Sequence, residues 1–328
     1  MYQTHFQLRQ RPFPATPDPA RYYPATSHER AIARLLNGLT DGEGVMVLTG
    51  LPGTGKTLLC HCLLERLGSE VGVAFLTNSH VGDRAGLLQA ILYDLSLPHE
   101  RRGEQEMRLA LTDHLLRGYE KGRGTILILD EAQHLTPDLL EELRLLGNLE
   151  ARSGKAVQVV LVGQPSLLET LRNPQLAAFA QRLAVRADVE PLDLQEAADY
   201  LLHHVRIAGG RPERLFADEA LEILARQTRG VPRLLNQAAH QALNLAAEAG
   251  AAQVDAEAAL EGLAVLGLAE EIEEGGPVPL LNGVIQEQEP DSEVGESVQG
   301  SNEGEECASE VEAETPSCRL ILASGRTN

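Results

Sequence analysis

Gly50-Leu51-Pro52-Gly53-Thr54-Gly55-Lys56-Thr57 stands between the apolar run Val45-Met46-Val47-Leu48-Thr49 and the segment Leu58-Leu59-Cys60-His61-Cys62-Leu63-Leu64. The first run has the character of a β-strand and the second reads as a helix, and the eight residues between them have the spacing G-x-x-x-x-G-K-T. The chemistry of phosphate binding requires these residue types. Glycines let the backbone wrap closely enough for its N–H groups to point at phosphate oxygens. The helix N-terminus adds partial positive charge at the same spot. In such a loop Lys56 reaches the β- and γ-phosphates and the Thr57 hydroxyl ligates Mg²⁺. An ordinary glycine-rich turn that happened to end in Lys-Thr would not need both a strand before it and a helix after it.

The chain has 328 residues, enough for two or three compact units with a sizeable core. No apolar run approaches the ~20 residues that span a bilayer, and the N-terminus lacks a basic segment followed by an apolar core. The four cysteines show no metal-ligand spacing: Cys60 and Cys62 lie two apart on a helix, and Cys307 and Cys318 sit in a polar tail. Reduced thiols in a cytoplasmic protein are the expectation. The net charge of −20 is uneven. Residues 269–328 carry −13 of it, with fifteen acidic residues from Glu270 to Glu314 and no Lys or Arg among them, which leaves −7 on residues 1–268. Only three lysines occur in the chain, and Lys56 occupies the one position where a compact ammonium is wanted.

In chain order, residues 1–26 interleave Tyr2, Phe6, Phe13, Tyr22 and Tyr23 with five prolines, a pattern that argues against a regular helix. Either the aromatics dock this extended segment on the body, or they border a nucleotide base; the two roles are compatible. Ser27 is expected to cap a helix from His28 to Leu39. Further strands are expected at Val71–Asn78, Thr125–Leu129, Val157–Gly163 and Leu183–Val189. Helices from Asp83, from Glu104 to Lys121 and from Pro137 to Leu149 alternate with them. That alternation predicts an α/β fold: a three-layer αβα domain with a parallel sheet over 27–191. From Leu192 onward only helical patterns remain, so 192–274 is expected to be a small all-α domain. Residues 275–328 have the composition of a disordered acidic tail.

Thr125-Ile126-Leu127-Ile128-Leu129 ends in Asp130-Glu131. Ligands bind at the carboxyl ends of strands in such sheets. There Asp130 can hold Mg²⁺, directly or through water, and Glu131 can accept a proton from the water attacking a γ-phosphorus. With these residues in place the chain resembles the AAA+ ATPases, and among them the ExeA/GspA-type ATPases of general secretion and the related transposition ATPases. The resemblance rests on Phe6, Pro12-Phe13, Pro17-Asp18-Pro19, Tyr23, Ser27-His28-Glu29, the Gly50–Thr57 loop and Asp130-Glu131-Ala132-Gln133. It continues through Leu161-Val162-Gly163-Gln164-Pro165 and Gly230-Val231-Pro232-Arg233-Leu234-Leu235-Asn236, covering about 1–267.

The resemblance implies that 192–274 acts as a lid over the nucleotide. It implies that Gln164, otherwise a turn residue before Pro165, senses the γ-phosphate, and that Arg233 reaches the nucleotide from the lid. An arginine finger acting on a neighbouring subunit falls on Arg182 or Arg186, with Arg182 the better fit. Asn78, or Thr77 or Ser79 beside it, would restrain Glu131. The implied ligands are ATP and Mg²⁺, and the implied partner is the chain itself in a ring-like homo-oligomer. The leading expectation is an oligomeric ATPase that remodels or assembles a protein client, with a secretion or export machine as its setting. Because the acidic tail stands where such secretion ATPases carry a membrane span and a peptidoglycan-binding domain, a stand-alone cytoplasmic enzyme is expected. The alternatives are an ATP-dependent DNA-binding regulator, which a net-negative body disfavours, and a nucleotide-gated switch with negligible turnover.

Overall fold

The computed structural model describes residues 2–68, 71–77, 81–151 and 154–268. Five strands form one wholly parallel sheet: β1 (Val45–Gly50), β2 (Gly72–Leu76), β3 (Thr125–Leu129), β4 (Val157–Gly163) and β5 (Leu183–Val189). Their order is β2-β3-β4-β1-β5. Pairings such as Thr49 with Gly163 and Leu129 with Leu161 bring the carboxyl ends of β1, β3 and β4 to one edge. There the phosphate loop follows β1 and Asp130 follows β3, with only β4 between them.

The aliphatic runs form strands because both faces of the sheet are covered. Val45, Val47, Leu127, Leu129, Val159 and Leu161 join one core, and the alternate residues Met46, Leu48, Ile126, Ile128, Val160 and Val162 join another. The first core contains Leu87, Leu111 and Leu139, from α3 (Arg84–Asp94), α4 (Glu104–Glu120) and α5 (Pro137–Gly147). The second contains Ile32, Leu35, Leu59 and Leu63, from α1 (Thr26–Thr40) and α2 (Lys56–Leu67). This is the three-layer arrangement that the strand–helix alternation predicts.

After β5 come α6 (Leu194–Ile207), α7 (Asp218–Gln227), α8 (Pro232–Glu248) and α9 (Ala256–Val265), with a single helical turn at Pro212–Leu215. Leu201, Val205, Leu224, Leu235, Leu243 and Leu263 build a third core. The N-terminal segment belongs to this helical core: Tyr2, Leu8 and Phe13 are buried in it, and the Phe13 ring lies 6.5 Å from that of Phe216. Burying a side chain of that size stabilises the docked segment by about 1.5–3 kcal/mol. The acidic tail at 275–328 lies outside the described residues.

Two local expectations change. The prolines begin only at Pro12, so Tyr2–His5 is free to form one helical turn upstream of them. Helix α1 begins at Thr26, not His28, and Ser27 does not cap it. The Ser27 hydroxyl donates instead to the Glu190 carbonyl at 3.1 Å. The Thr26 N–H is satisfied by Glu196 of α6 at 2.8 Å, a cap supplied from the helical half.

Candidate functional site

The loop from Gly50 to Thr57 turns through two left-handed glycines, Gly53 (φ +82°) and Gly55 (φ +93°). A side chain at Gly53 would also strike Arg233, since a Cβ there would lie 2.8 Å from the Arg233 Cβ. The Arg233 N–H donates to the Gly53 carbonyl at 3.2 Å, so the start of α8 is hydrogen-bonded directly to the loop. The imidazole of His28 in α1 hydrogen-bonds the Thr54 carbonyl at 2.8 Å, and burial holds that ring below its ordinary pKa. A neutral ring donating through Nε2 satisfies this contact.

Lys56 is only 6% exposed, and its Nζ donates to the carbonyls of Gly50 and Leu51, each at 2.9 Å. Burial pulls its ammonium below the usual lysine range, and the charges of Glu131 and Asp130 pull it back up. Thr57 donates a short hydrogen bond from Oγ1 to Oδ2 of Asp130. Asp130 also accepts the Glu131 N–H at 2.9 Å. Burial raises the Asp130 carboxyl above the usual range, while these two donors oppose the rise. A buried carboxylate beside a hydroxyl is an oxygen pair suited to a hard cation. Among the described residues no cluster of three or more His, Cys, Asp or Glu could by itself hold a metal. The Thr57–Asp130 pair fits Mg²⁺, which takes one or two protein ligands and completes its shell with water and phosphate.

A cleft of about 350 Å³ opens above this edge of the sheet. Lys56, Thr57, Glu131, Gln164 and Arg233 line it, together with Pro17, Tyr22, Tyr23, Tyr200 and His204. The N-terminal segment packs on the helical half through Tyr2 and Phe13, and its Tyr22 and Tyr23 line the cleft. Gln164 follows β4, and its N–H donates to Oε1 of Gln133 at 3.1 Å. Gln133 Nε2 donates in turn to Oε2 of Glu131 at 2.6 Å. Arg182 and Arg186 do not line the cleft and are exposed, Arg182 just before the edge strand β5 and Arg186 within it. Asn78 and Ser79 lie outside the described residues.

Sequence reading assigned no role to three groups here. Gln133 joins the acidic turn to β4 across 31 residues. Glu196 ties α6 to α1. His204 is 6% exposed, has a buried Nδ1 without a hydrogen-bond partner, and lies against Tyr200 and Phe13. Burial, with the charges of His203 and Arg21 adding to it, pushes His204 down to about 4. An unfolded histidine titrates near ~6.5, so as pH falls from there to about 4 the unfolded chain takes up a proton that the folded one refuses. Stability contributed by the neutral ring is full above that upper value and falls by roughly 1.4 kcal/mol per pH unit below it. Urea unfolding at pH 7.5 and pH 5 should therefore show His204→Phe gaining on the unsubstituted protein at the lower pH, by about 2 kcal/mol. An equal difference between the two proteins at both pH values would contradict this.

Loop, acidic strand end and sheet order together define a P-loop nucleotide-binding protein of AAA+ fold. Residues 39–171 match the family model of the AAA domain. The chain is 40% identical over 244 residues to General secretion pathway protein A of Aeromonas hydrophila, covering 74% of this chain and 44% of that protein. It is 27% identical over 244 residues to the Holliday junction branch migration complex subunit RuvB of Chlorobaculum tepidum, covering 70% of this chain and 59% of that one. The crystal structure of Cdc6p from Pyrobaculum aerophilum shares the fold, with a TM-score of 0.61 at 20% identity over 76% of this chain and 71% of that one. Residues 39–171 thus form an AAA domain, and the chain is similar to General secretion pathway protein A, of which it spans less than half the length. No helix among the described residues is long and apolar enough to cross a membrane.

Proposed function

We propose that this chain is an ATPase that works as an oligomer, hydrolysing MgATP to remodel or assemble a protein partner of a secretion or export machine. The observation that carries the hydrolytic part is the convergence of Lys56, Thr57, Glu131, Gln164 and Arg233 on one cleft, with Asp130 bonded to Thr57 beneath it. In this reading 27–191 is the ATPase domain and 192–274 its lid. Lys56 and the loop N–H groups bind the phosphates, and Arg233 brings the lid's positive charge to them. Thr57 and Asp130 would hold Mg²⁺, which when bound neutralises charge on the phosphates. Glu131 orients the attacking water and accepts its proton, and Gln164 marks the position of the γ-phosphate. The N-terminal aromatics flank the base. The setting is taken from the 40% identity to General secretion pathway protein A.

Assembly enters through β5. Its seven residues run roughly 20 Å, and Arg182 precedes them, whereas the cleft lies at the strands' carboxyl ends. An exposed arginine at that place serves a neighbour's site better than its own. Arg182→Ala should keep ATP affinity and lose turnover by about 10³-fold, the magnitude typical of an arginine finger; Arg186→Ala tests the other position. Specific activity should also rise with protein concentration as subunits meet. Constant specific activity on dilution, with both variants active, would exclude a shared site.

The likeness to RuvB favours a second reading, in which the partner is DNA. Phosphate binding needs surplus Lys and Arg, and residues 1–268 carry −7. Salt-sensitive stimulation of hydrolysis by duplex DNA would promote that reading.

A further inference from the structure

The turn after β3 contains a side-chain bridge that the loop motif and the acidic pair do not require. Glu131 sits in the left-handed region at φ +54°, and Ala132–His134 then makes a tight helical turn, closed by the His134 N–H on the Glu131 carbonyl at 3.1 Å. That turn brings Gln133 back over Glu131. Its Nε2 donates to Glu131 Oε2 at 2.6 Å while its Oε1 accepts the Gln164 N–H at 3.1 Å. The two partners fix which end of the amide is which, because a carboxylate only accepts and a backbone N–H only donates. A primary amide can do both at once, donating from its nitrogen and accepting at its oxygen. Glutamate would set a second negative charge against Glu131, and alanine would leave both partners without their bond.

The end of β4 is shaped to admit this side chain. A Cβ on Gly163 would lie 2.7 Å from Gln133 Oε1, 3.2 Å from Leu167 Cδ2 and 3.4 Å from the Gln133 backbone nitrogen. Since φ at this position is not in the left-handed region, it is close packing, nearest of all the Gln133 amide oxygen, that favours glycine here.

We infer that Gln133 is the positioning residue of Glu131. It clamps one carboxylate oxygen to the end of β4 and so ties the direction of the base to the place of Gln164. The inference rests on the reading of Glu131 as the base of ATP hydrolysis. It accounts for the strained backbone at Glu131, for the amide at Gln133 and for the small residue at Gly163 with one device.

The test is steady-state hydrolysis by the full chain. Gln133→Ala should lower kcat by 10- to 100-fold, the range seen when a supporting residue is lost, with KM for ATP within about twofold. Gln133→Glu, which keeps the length and loses the donor, should do no better, and Gln133→Asn should recover part of the loss. Gly163→Ala reaches the same amide from another residue. It should lower kcat in the otherwise unsubstituted chain and add almost nothing in a Gln133→Ala background. Even if Gln133→Ala folds poorly, Gly163→Ala alone, with kcat lowered and KM kept, supports the clamp, and unchanged kcat overturns it. Gln133→Ala with kcat intact, a rise in KM alone, or fully additive losses also overturn the inference. If Glu131→Gln hydrolyses ATP normally, the underlying reading has failed, which separates the two outcomes.

Discussion

Lys56→Ala is expected to abolish ATP binding at micromolar nucleotide, a loss of about 10- to 10⁴-fold in affinity. The reasoning starts from burial. A lysine only 6% exposed has already given up most of its water and is held by the two loop carbonyls of Gly50 and Leu51. Those carbonyls keep the ammonium inside the loop, where the backbone N–H groups and the start of α2 converge. Each charge-assisted bond from such an amine to a phosphate is worth about 1.5–3 kcal/mol, and tenfold in affinity corresponds to about 1.4 kcal/mol. Loss of one or two such bonds gives the expected range. Lys56→Arg is no conservative rescue, because a planar fork does not fit where a point charge sits on two carbonyls. Titration with a fluorescent ATP analogue reads the effect, and affinity retained within threefold would contradict it.

Glu131→Gln is expected to do the opposite: binding kept, turnover lost by 10²- to 10⁴-fold, the usual worth of a positioned general base. Glutamine has the same length and offers its own carbonyl oxygen to Gln133 Nε2, so the bridge to β4 survives the substitution. What is lost is the capacity to take a proton from water. Asp130 cannot take over. Its carboxylate is 2% exposed and already committed to Thr57 and to the Glu131 N–H.

The contrast between these two residues and Gln133 shows what a sequence carries and what it does not. Strands β1, β3 and β4 were legible because a sheet covered on both faces needs uninterrupted aliphatic runs, and their residues sort strictly by alternation into two cores. The helices after Leu192 were legible from their 3.6-residue spacing, and the loop from its glycines and its neighbours. Contacts between distant segments were not. The cap of α1 comes from Glu196, 170 residues away, so Ser27 looked like the capping residue when its hydroxyl was committed elsewhere. Gln133 stood next to the acidic pair in plain view, yet its role depends on a left-handed turn at Glu131 and on a partner across β4. His204 carries no signal of its own in the sequence; only packing against Phe13 and Tyr200 removes its Nδ1 from water. The helical turn at Tyr2–His5 is too short to show a period of its own beside the prolines that begin at Pro12.

Assembly, client and clamp all presuppose that this cleft breaks the β–γ bond of ATP with Glu131 as base. The most direct measurement is single-turnover release of γ-phosphate by the full chain and by Glu131→Gln, with MgATP affinity determined on the same preparations. The account predicts equal affinity, release from the unsubstituted chain, and release at least 100-fold slower from the variant. Release at the same rate from both proteins would contradict it.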